Sequence, residues 1–559
     1  ATPFATFATN FDGWYVSGDA FGDAPTGARS WGVSDGKLRV QESGVVDSGL
    51  ISPKLHGVLR SPSFTLEHSA VHVRAAGRAA QVRLVIENYF IREHTDLLFE
   101  KTVLKVDHGD ELRWLELSGG LEKYRGCRAY IEIADEQDGY IAVDEVRFAN
   151  GPLVESATPA PPTPTLAEAV SSWNDGRAGS VDTAAINTAI QSNFALAQPE
   201  LATTLQELQR SIDAIPAPVP VLAMADGNGF DIPVHVRGNY KTPGELVPRR
   251  FLEAIDSSRT PFGGPGSGRI ELAKAMVAPN NTLTARVMVN RIWQHIFGKG
   301  IVATSDNFGV MGSAPSHPAL LDYLATRFQH DGWSTKRLVR EMVLTSTFRM
   351  ASSASDGSAA VKDPNNILLH RMPLQRLEAE AIRDSVLASA GTLDSTLFGP
   401  SIPAYVSPFM GGHRKPEASG PMDGARRRSI YLEVRRNFLP ALFLAFDFPV
   451  PDSTHGTRTV SNVPAQSLVL MNDPFVAAQS SALGAEIAKS DLSPELRVAE
   501  LYLRVFSREP DPNEIARAVD FLRQQANSYG VSSDDVFKDS RAWTDLIHAL
   551  FMGKEFLYA

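Results

Sequence analysis

Between Thr284 and Gly309 the sequence TARVMVNRIWQHIFGKGIVATSDNFG sets Arg286, Asn290, Arg291, Gln294 and His295 among Val287, Met288, Val289, Ile292, Trp293, Ile296 and Phe297, with no acid before Asp306. Arg286, Asn290 and Gln294 stand four residues apart and share one helical face, while Ala285, Val289, Ile292, Trp293 and Ile296 form an apolar stripe. With Met288 and Phe297 added, little face is left for solvent, so the pattern predicts a helix buried nearly all round. A buried arginine is costly without a partner, and this helix supplies no acid. Asp306, Asp322, Glu378, Glu380 and Asp384 are the candidate partners, and the acid-free span predicts that Arg286 and Arg291 reach Asp306 and the RLEAEAIRD segment. Two chemistries stay open: a structural polar network, the commoner outcome, or an arginine that faces a cleft and binds an anionic or sugar ligand.

RLEAEAIRD poses the same choice. Arg376, Glu380, Arg383 and Asp384 follow helical spacing and can pair along one face, or Glu380 and Asp384 can serve as two carboxylates for acid–base work. Further on, a strand expected over Ile430 to Val434 leads into Arg435, Arg436 and Asn437, with Asp447 beyond. His295, His317, His413 and His455 show no HExxH spacing, and His317 lies too loosely before Asp322 to form a dyad on spacing alone. No GxSxG elbow or P-loop is present. The catalytic candidates are therefore Arg291, Asp306, His317, Asp322, Glu380, Asp384, Arg436, Asn437 and Asp447, and a metal-dependent hydrolase would draw on Asp306, His317, Asp322, Glu380 or Asp384. In ADEQDGYIAVDEVRF, Asp135, Asp138 and Asp144 offer hard oxygen ligands suited to Ca²⁺.

The elements that must carry these groups follow from periodicity. Residues 1–151 hold short apolar runs such as VHVRAAG, QVRLVIENYF, RAYIEIAD and YIAVDEVRF between turn residues, which predicts an antiparallel β-sandwich. The proline-dense ESATPAPPTPTLAE marks a linker over 152–168. Residues 169–268 form a connecting region, with a helix at TTLQELQRSIDAI and two short strands expected about an Asp226–Gly227 turn. From 269 to 559 the chain reads as mainly α-helical. Ser316 or His317 caps a helix starting at Pro318, LQRLEAEAIRDSVLASAG runs to Gly391, and two helices flank REPDP.

Composition narrows the function. The 559 residues carry a formal charge of −10, against a nucleic-acid-binding role. Arg426-Arg427-Arg428 is a local basic cluster of the kind that more often forms salt bridges. One cysteine, Cys127, rules out an internal disulfide, a thiolate zinc cluster and covalent CxxCH haem in this chain. No apolar run is long enough to span a membrane, and a start at Ala1 suggests that a signal peptide is already removed.

The ordered blocks RVMVNRIWQHIFGKGIVATSDNFGVMGSAPSHPALLDYLATRFQHDGWSTKRLVREMVLTSTFRM, DPNNILLHRMPLQRLEAEAIRDSVLASAG, RRSIYLEVRRN, FDFPVPD and VPAQSLVLMNDPFV resemble the planctomycete domain-of-unknown-function family 1553, also called the PSD family. GVLRSPSFTL, RLVIEN, YRGCRAYIEIAD and GYIAVDEVRF are similar to galactose-binding-like modules of jelly-roll type, many of which bind carbohydrate or a structural Ca²⁺. These resemblances imply an extracytoplasmic (periplasmic or cell-surface) protein of polysaccharide metabolism, with a carbohydrate-binding-like sandwich. The helical domain would act in redox chemistry with a c-type haem partner or a cleaved upstream haem fragment. No catalytic residues come with the family. A non-catalytic binding or scaffold module of a cell-surface assembly and a metal-dependent hydrolase stay open beside that reading.

Overall fold

The computed structural model describes every residue except 35–36, 88–101, 119, 154–162, 191, 193–198, 220, 222, 225, 228, 265, 354–356 and 411–415. The chain divides into two compact units, Ala1–Ala275 and Met276–Ala559.

The first unit is built on strands β1 (Thr2–Ala5), β2 (Tyr15–Gly18), β3 (Trp31–Ser34), β4 (Lys37–Val40), β5 (Val46–Asp47), β6 (Gly57–Arg60), β7 (Phe64–Thr65), β8 (Ala70–Arg78), β9 (Ala80–Ile86), β10 (Val103–Val106), β11 (Gly109–Leu117), β12 (Arg128–Asp135) and β13 (Tyr140–Ala149). One sheet runs β1-β13-β8-β11 with β5 also on β13, and the other runs β10-β9-β12-β6-β2 with β7 on β12. All pairings within them are antiparallel. Alternation turns Val71, Val73 and Ala75 of β8, and Ile141 and Val143 of β13, toward Val82, Leu84 and Ile86 of β9 and Ala129, Ile131 and Ile133 of β12 in one core. This is the antiparallel sandwich that the run spacing predicts. Asn88 to Phe90, the end of QVRLVIENYF, lies outside the described residues, as does most of the proline-rich segment.

Beyond it come α1 (Leu166–Asn174), α2 (Ser180–Ala189) and α3 (Pro199–Asp213). A capping box starts α1: Glu168 N donates to the Thr165 hydroxyl while the Glu168 carboxylate accepts from Thr165 N. Ala169 and Ile186 pack with Val40 of β4, and the Asn187 side chain accepts from Val40 N (2.8 Å) and donates to Val40 O (2.9 Å). The two short strands are β14 (Ile232–His235) and β15 (Pro243–Val247), but they turn through Val236 to Thr242 rather than at Asp226–Gly227. Asn239 nucleates that turn by accepting from Lys241 N, whereas Asp226 is drawn to Ser267 N. Helix α4 (Arg269–Met276) follows.

The second unit comprises α5 (Thr282–Phe297), α6 (Pro318–His330), α7 (Thr335–Val343), α8 (Gly357–Lys362), α9 (Ala379–Ser389), α10 (Ala441–Ala445), α11 (Pro464–Asn472), α12 (Pro474–Ile487), α13 (Pro494–Phe506), α14 (Pro512–Ser528), α15 (Ser540–Phe551) and α16 (Lys554–Leu557). It has a core among α5, α6 and α7, and a larger one in which α9, α12, α13, α14 and α15 surround Trp543. Caps set the boundaries: Asn281, Ser334, Asp473, Ser493, Asp511 and Asp539 each accept a backbone N–H at a helix start. Gly298, at φ 78°, ends α5 by donating to Gln294 O. Among the described residues no helix is long and apolar enough to cross a membrane.

Three expectations change here. Helix α5 is not buried all round, because Met288, Arg291 and His295 are exposed. LQRLEAEAIRD is helical only from Ala379. Its first residues are extended, since Gln375 exchanges two backbone hydrogen bonds with Ala559 and Leu377 N donates to Leu557 O. Ile430 to Val434 is no strand either. Asp384 takes both the amide and the hydroxyl of Ser429, the chain turns there, and only Leu432 bridges Ile402.

Candidate functional site

The polar stripe of α5 organises the loop that follows it. Asn290 is fully buried, accepts from Val302 N (2.8 Å), and donates to Val302 O (3.1 Å) and the Ser305 hydroxyl (3.3 Å). Gly300 lies so close that a Cβ would stand 2.6 Å from Val302 O and 2.7 Å from the Asn290 amide nitrogen. Gln294 accepts from Ser305 and donates to Gly456 O (3.4 Å). The loop is thereby held against its helix, with Lys299 between Gly298 and Gly300.

That loop forms one wall of a cleft of about 660 Å³. Trp293 and Phe297 of α5, with ring centroids 4.2 Å apart, line it, as do Ser316 and His317 before α6. Asn365, Asn366, Gln375, Arg376 and Tyr558 complete its polar lining, the Asn366 side chain being held by the Arg371 backbone. Gln375 donates to Ile296 O (3.0 Å), which ties its segment to α5. The Ser316 hydroxyl donates to Ile301 O (3.2 Å) and lies 3.0 Å from His317 Nδ1. His317 Nε2 has no partner among the described residues. Lys299 Nζ, the Asn365 amide and the Tyr558 hydroxyl likewise have none. The cleft lining contains no carboxylate.

Arg376 closes the back of the cleft, with its side chain 4% exposed. It donates to Ser461 O (2.6 Å), Phe446 O (3.3 Å) and Asp447 Oδ2 (2.8 Å). Burial would raise the Asp447 pKa, but the Ser461 amide and hydroxyl and the Arg376 guanidinium outweigh it and hold the carboxyl below its ordinary range. Asp447 is thus an ionised structural partner.

The other candidates disperse. Asp322 accepts from Arg286 Nε at 2.7 Å, so Arg286 finds its acid on α6 rather than at Asp306 or the RLEAEAIRD segment. Arg291 is exposed and has no ion pair among the described residues, contrary to its expected reach to a carboxylate. Asp306 is exposed and packs against Gly456, where any Cβ would overlap it. Glu380 forms a two-pronged pair with Arg458 (2.7 and 2.9 Å), and Asp384 serves Ser429 and Arg383. Glu380 and Asp384 are therefore spoken for separately. Arg436, Asn437 and His295 are exposed, His455 contacts the Ser453 hydroxyl at 2.8 Å, and His413 lies outside the described residues. Of the nine catalytic candidates, only His317 lines this cleft. Lys299, Asn365 and Tyr558 were missed, although GKG did signal a lysine between two glycines.

A second cleft of about 490 Å³ is mostly apolar, with Phe409, Met410, Met422, Phe443 and Leu468 in its walls. Its charged groups are already committed. Arg383 is bound as above, Glu433 accepts from Arg435 (2.9 Å), and Asp473 caps α12.

In the sandwich, Asp144 pairs with Arg74 at 2.5 Å, Asp138 is exposed 3.8 Å from His56, and Asp135 is buried and accepts from the Ser48 hydroxyl. This arrangement does not assemble the three into one ligand set. Among the described residues no group of three or more His, Cys, Asp or Glu could hold a metal ion.

Residues 268–522 match the family model PSD1, described as a protein of unknown function (DUF1553). This segment belongs to the PSD1 family. No curated protein and no solved structure matches the chain. Lys299, His317, Asn365 and Arg376 fall inside the PSD1 segment, while Tyr558 reaches the cleft from beyond it.

Proposed function

We propose that the helical unit is a carbohydrate-binding domain of an extracytoplasmic protein of polysaccharide metabolism, and that the sugar lies in the cleft between Trp293 and Tyr558. The supporting observation is the set of uncommitted polar side chains, Lys299, His317, Asn365 and Tyr558, beside aromatic walls. Ligand sites combine apolar surface with a few convergent polar groups in clefts of this size. An indole face packs against the C–H face of a sugar ring while donors and acceptors around it take the hydroxyls.

Binding fits the geometry better than hydrolysis. Of the carboxylates on which acid–base or metal chemistry would draw, Asp322, Glu380, Asp384 and Asp447 are each engaged by an arginine, and Asp306 lies exposed against Gly456, outside the cleft lining. The redox partnership with a c-type haem protein rests on the family resemblance alone.

Titration calorimetry of the whole chain against a panel of oligosaccharides tests this reading. At least one sugar should bind, and Tyr558→Phe and Asn365→Ala should each weaken it about tenfold, near 1.4 kcal/mol, with an unchanged melting temperature. Absence of binding across the panel would overturn it.

A further inference from the structure

We infer that the ligand of this cleft is anionic: a sugar bearing a carboxylate or a sulfate or phosphate ester. The inference rests on the carbohydrate reading above and adds a charge requirement. Lys299, His317 and Arg376 line the cleft and no Asp or Glu does, in a chain whose acids outnumber its bases, 64 to 54. A wall free of carboxylates is therefore a local reversal of the protein's overall sign.

The three basic side chains differ in what they can offer. Arg376 is neutralised from behind by Asp447, its terminal nitrogens donate to Ser461 O, Phe446 O and that carboxylate, and its buried Nε has no partner among the described residues. Its role is to fix the back wall. Lys299 has no ion pair among the described residues, and its charge is exposed on a loop that Asn290 and Gly300 hold in place. A lysine anchored by its backbone while its ammonium stays uncommitted is a point charge waiting for a counter-ion. His317 adds the positive end of α6, because it is the N-cap of that 13-residue helix and no side chain caps it. Asn365 and Tyr558 then supply hydrogen bonds to neutral parts of the same ligand.

The geometry also separates this site from the other arginine clusters of the unit. Arg383 and Arg458 are met by Asp384 and Glu380, so an incoming anion would have to displace a carboxylate. At Lys299 it displaces only water.

The test compares, by calorimetry on the whole chain, an oligogalacturonide and a sulfated galactan oligosaccharide with their uncharged counterparts, alongside inorganic sulfate and phosphate. The expected result is at least tenfold tighter binding of one acidic oligosaccharide than of its neutral counterpart. That preference should shrink as salt rises and screens the charge. Which acid wins distinguishes a carboxylate from an ester. Lys299→Glu should abolish the preference and Lys299→Gln reduce it. Lys489→Glu, the same charge change at an exposed lysine outside the cleft lining, should leave it intact. Equal binding of acidic and neutral sugars, or an acidic preference indifferent to Lys299→Glu, would overturn the inference and leave the carbohydrate reading standing. Lys299-dependent binding of inorganic sulfate or phosphate with no oligosaccharide bound would overturn the carbohydrate reading and the acidic sugar with it, leaving a bare oxyanion as the ligand.

Discussion

Arg383 in the helical unit and Asp135 in the sandwich are 4% and 0% exposed, yet they meet burial in opposite ways. Arg383 donates to Asp423 O (2.6 Å), Arg427 O (3.0 Å), the Ser429 hydroxyl (3.0 Å) and Asp384 Oδ1 (3.3 Å). Burial pulls its pKa down and Asp384 and Asp423 push back, so the guanidinium stays charged and ties α9 to the stretch from Asp423 to Ser429. Asp135 has one oxygen on the Ser48 hydroxyl, while Oδ1 has no hydrogen-bond partner among the described residues. Burial pushes its carboxyl up to about 6, with Ser48 and His56 pulling the other way. Equal burial thus gives a structural rivet in one unit and a titrating group in the other. The number of partners decides which.

The largest effect should come from breaking the rivet. Arg383→Met leaves two loop carbonyls without their donor and Asp384 without its buried arginine, and should cost about 3–5 kcal/mol in urea unfolding of the helical unit. A loss under about 1 kcal/mol would erase the contrast.

Asp135 comes next, and its effect has a sign. Its folded pKa of about 6 lies above the ordinary 3.8, so the folded sandwich holds the extra proton and loses stability as pH rises from about 4 through 6. That amounts to roughly 2–3 kcal/mol by the usual conversion. Asp47, also pushed up to about 6 by burial, adds in the same direction. Asp135→Asn should flatten this slope and stabilise the sandwich at pH 7.5. Denaturant-dependent hydrogen exchange at the β12 amides would show it, and an unchanged slope would refute it.

Asn290→Ala extends the rule to a neutral group. It strands the buried Val302 amide and should cost about 2 kcal/mol in urea unfolding. Lys299→Ala marks the other end, with a change within about 0.5 kcal/mol on thermal melting, because no partner depends on it. A large destabilisation there would mean that the lysine is structural after all.

The sandwich was legible because alternation is a local property: each β8 or β12 residue declares its face through its own type. Helix α5 was legible for the same reason. Arginine partners were not. Arg286 chose Asp322 over other acids offered by the sequence, and Arg376 left its expected helix because Gln375 and Leu377 pair with the segment from Leu557 to Ala559. Such pairings depend on which distant strand or loop arrives, and periodicity carries no information on that. The cleft was hidden likewise, since Lys299, His317, Asn365 and Tyr558 come from four separate segments. The candidates chosen for their acids were drawn instead to the residues that already satisfy one another.

Asn187 carries a consequence of another kind. Its side-chain amide both accepts from and donates to the backbone of Val40, as a neighbouring strand would. Strand β4 pairs with β3 on one side, and an open backbone edge on the other side invites pairing with a second molecule. One carboxamide fills that vacancy at Val40 and acts as a guard against intermolecular sheet growth. Asn187→Leu, which keeps the bulk and removes both bonds, turns a protected edge into a sticky one.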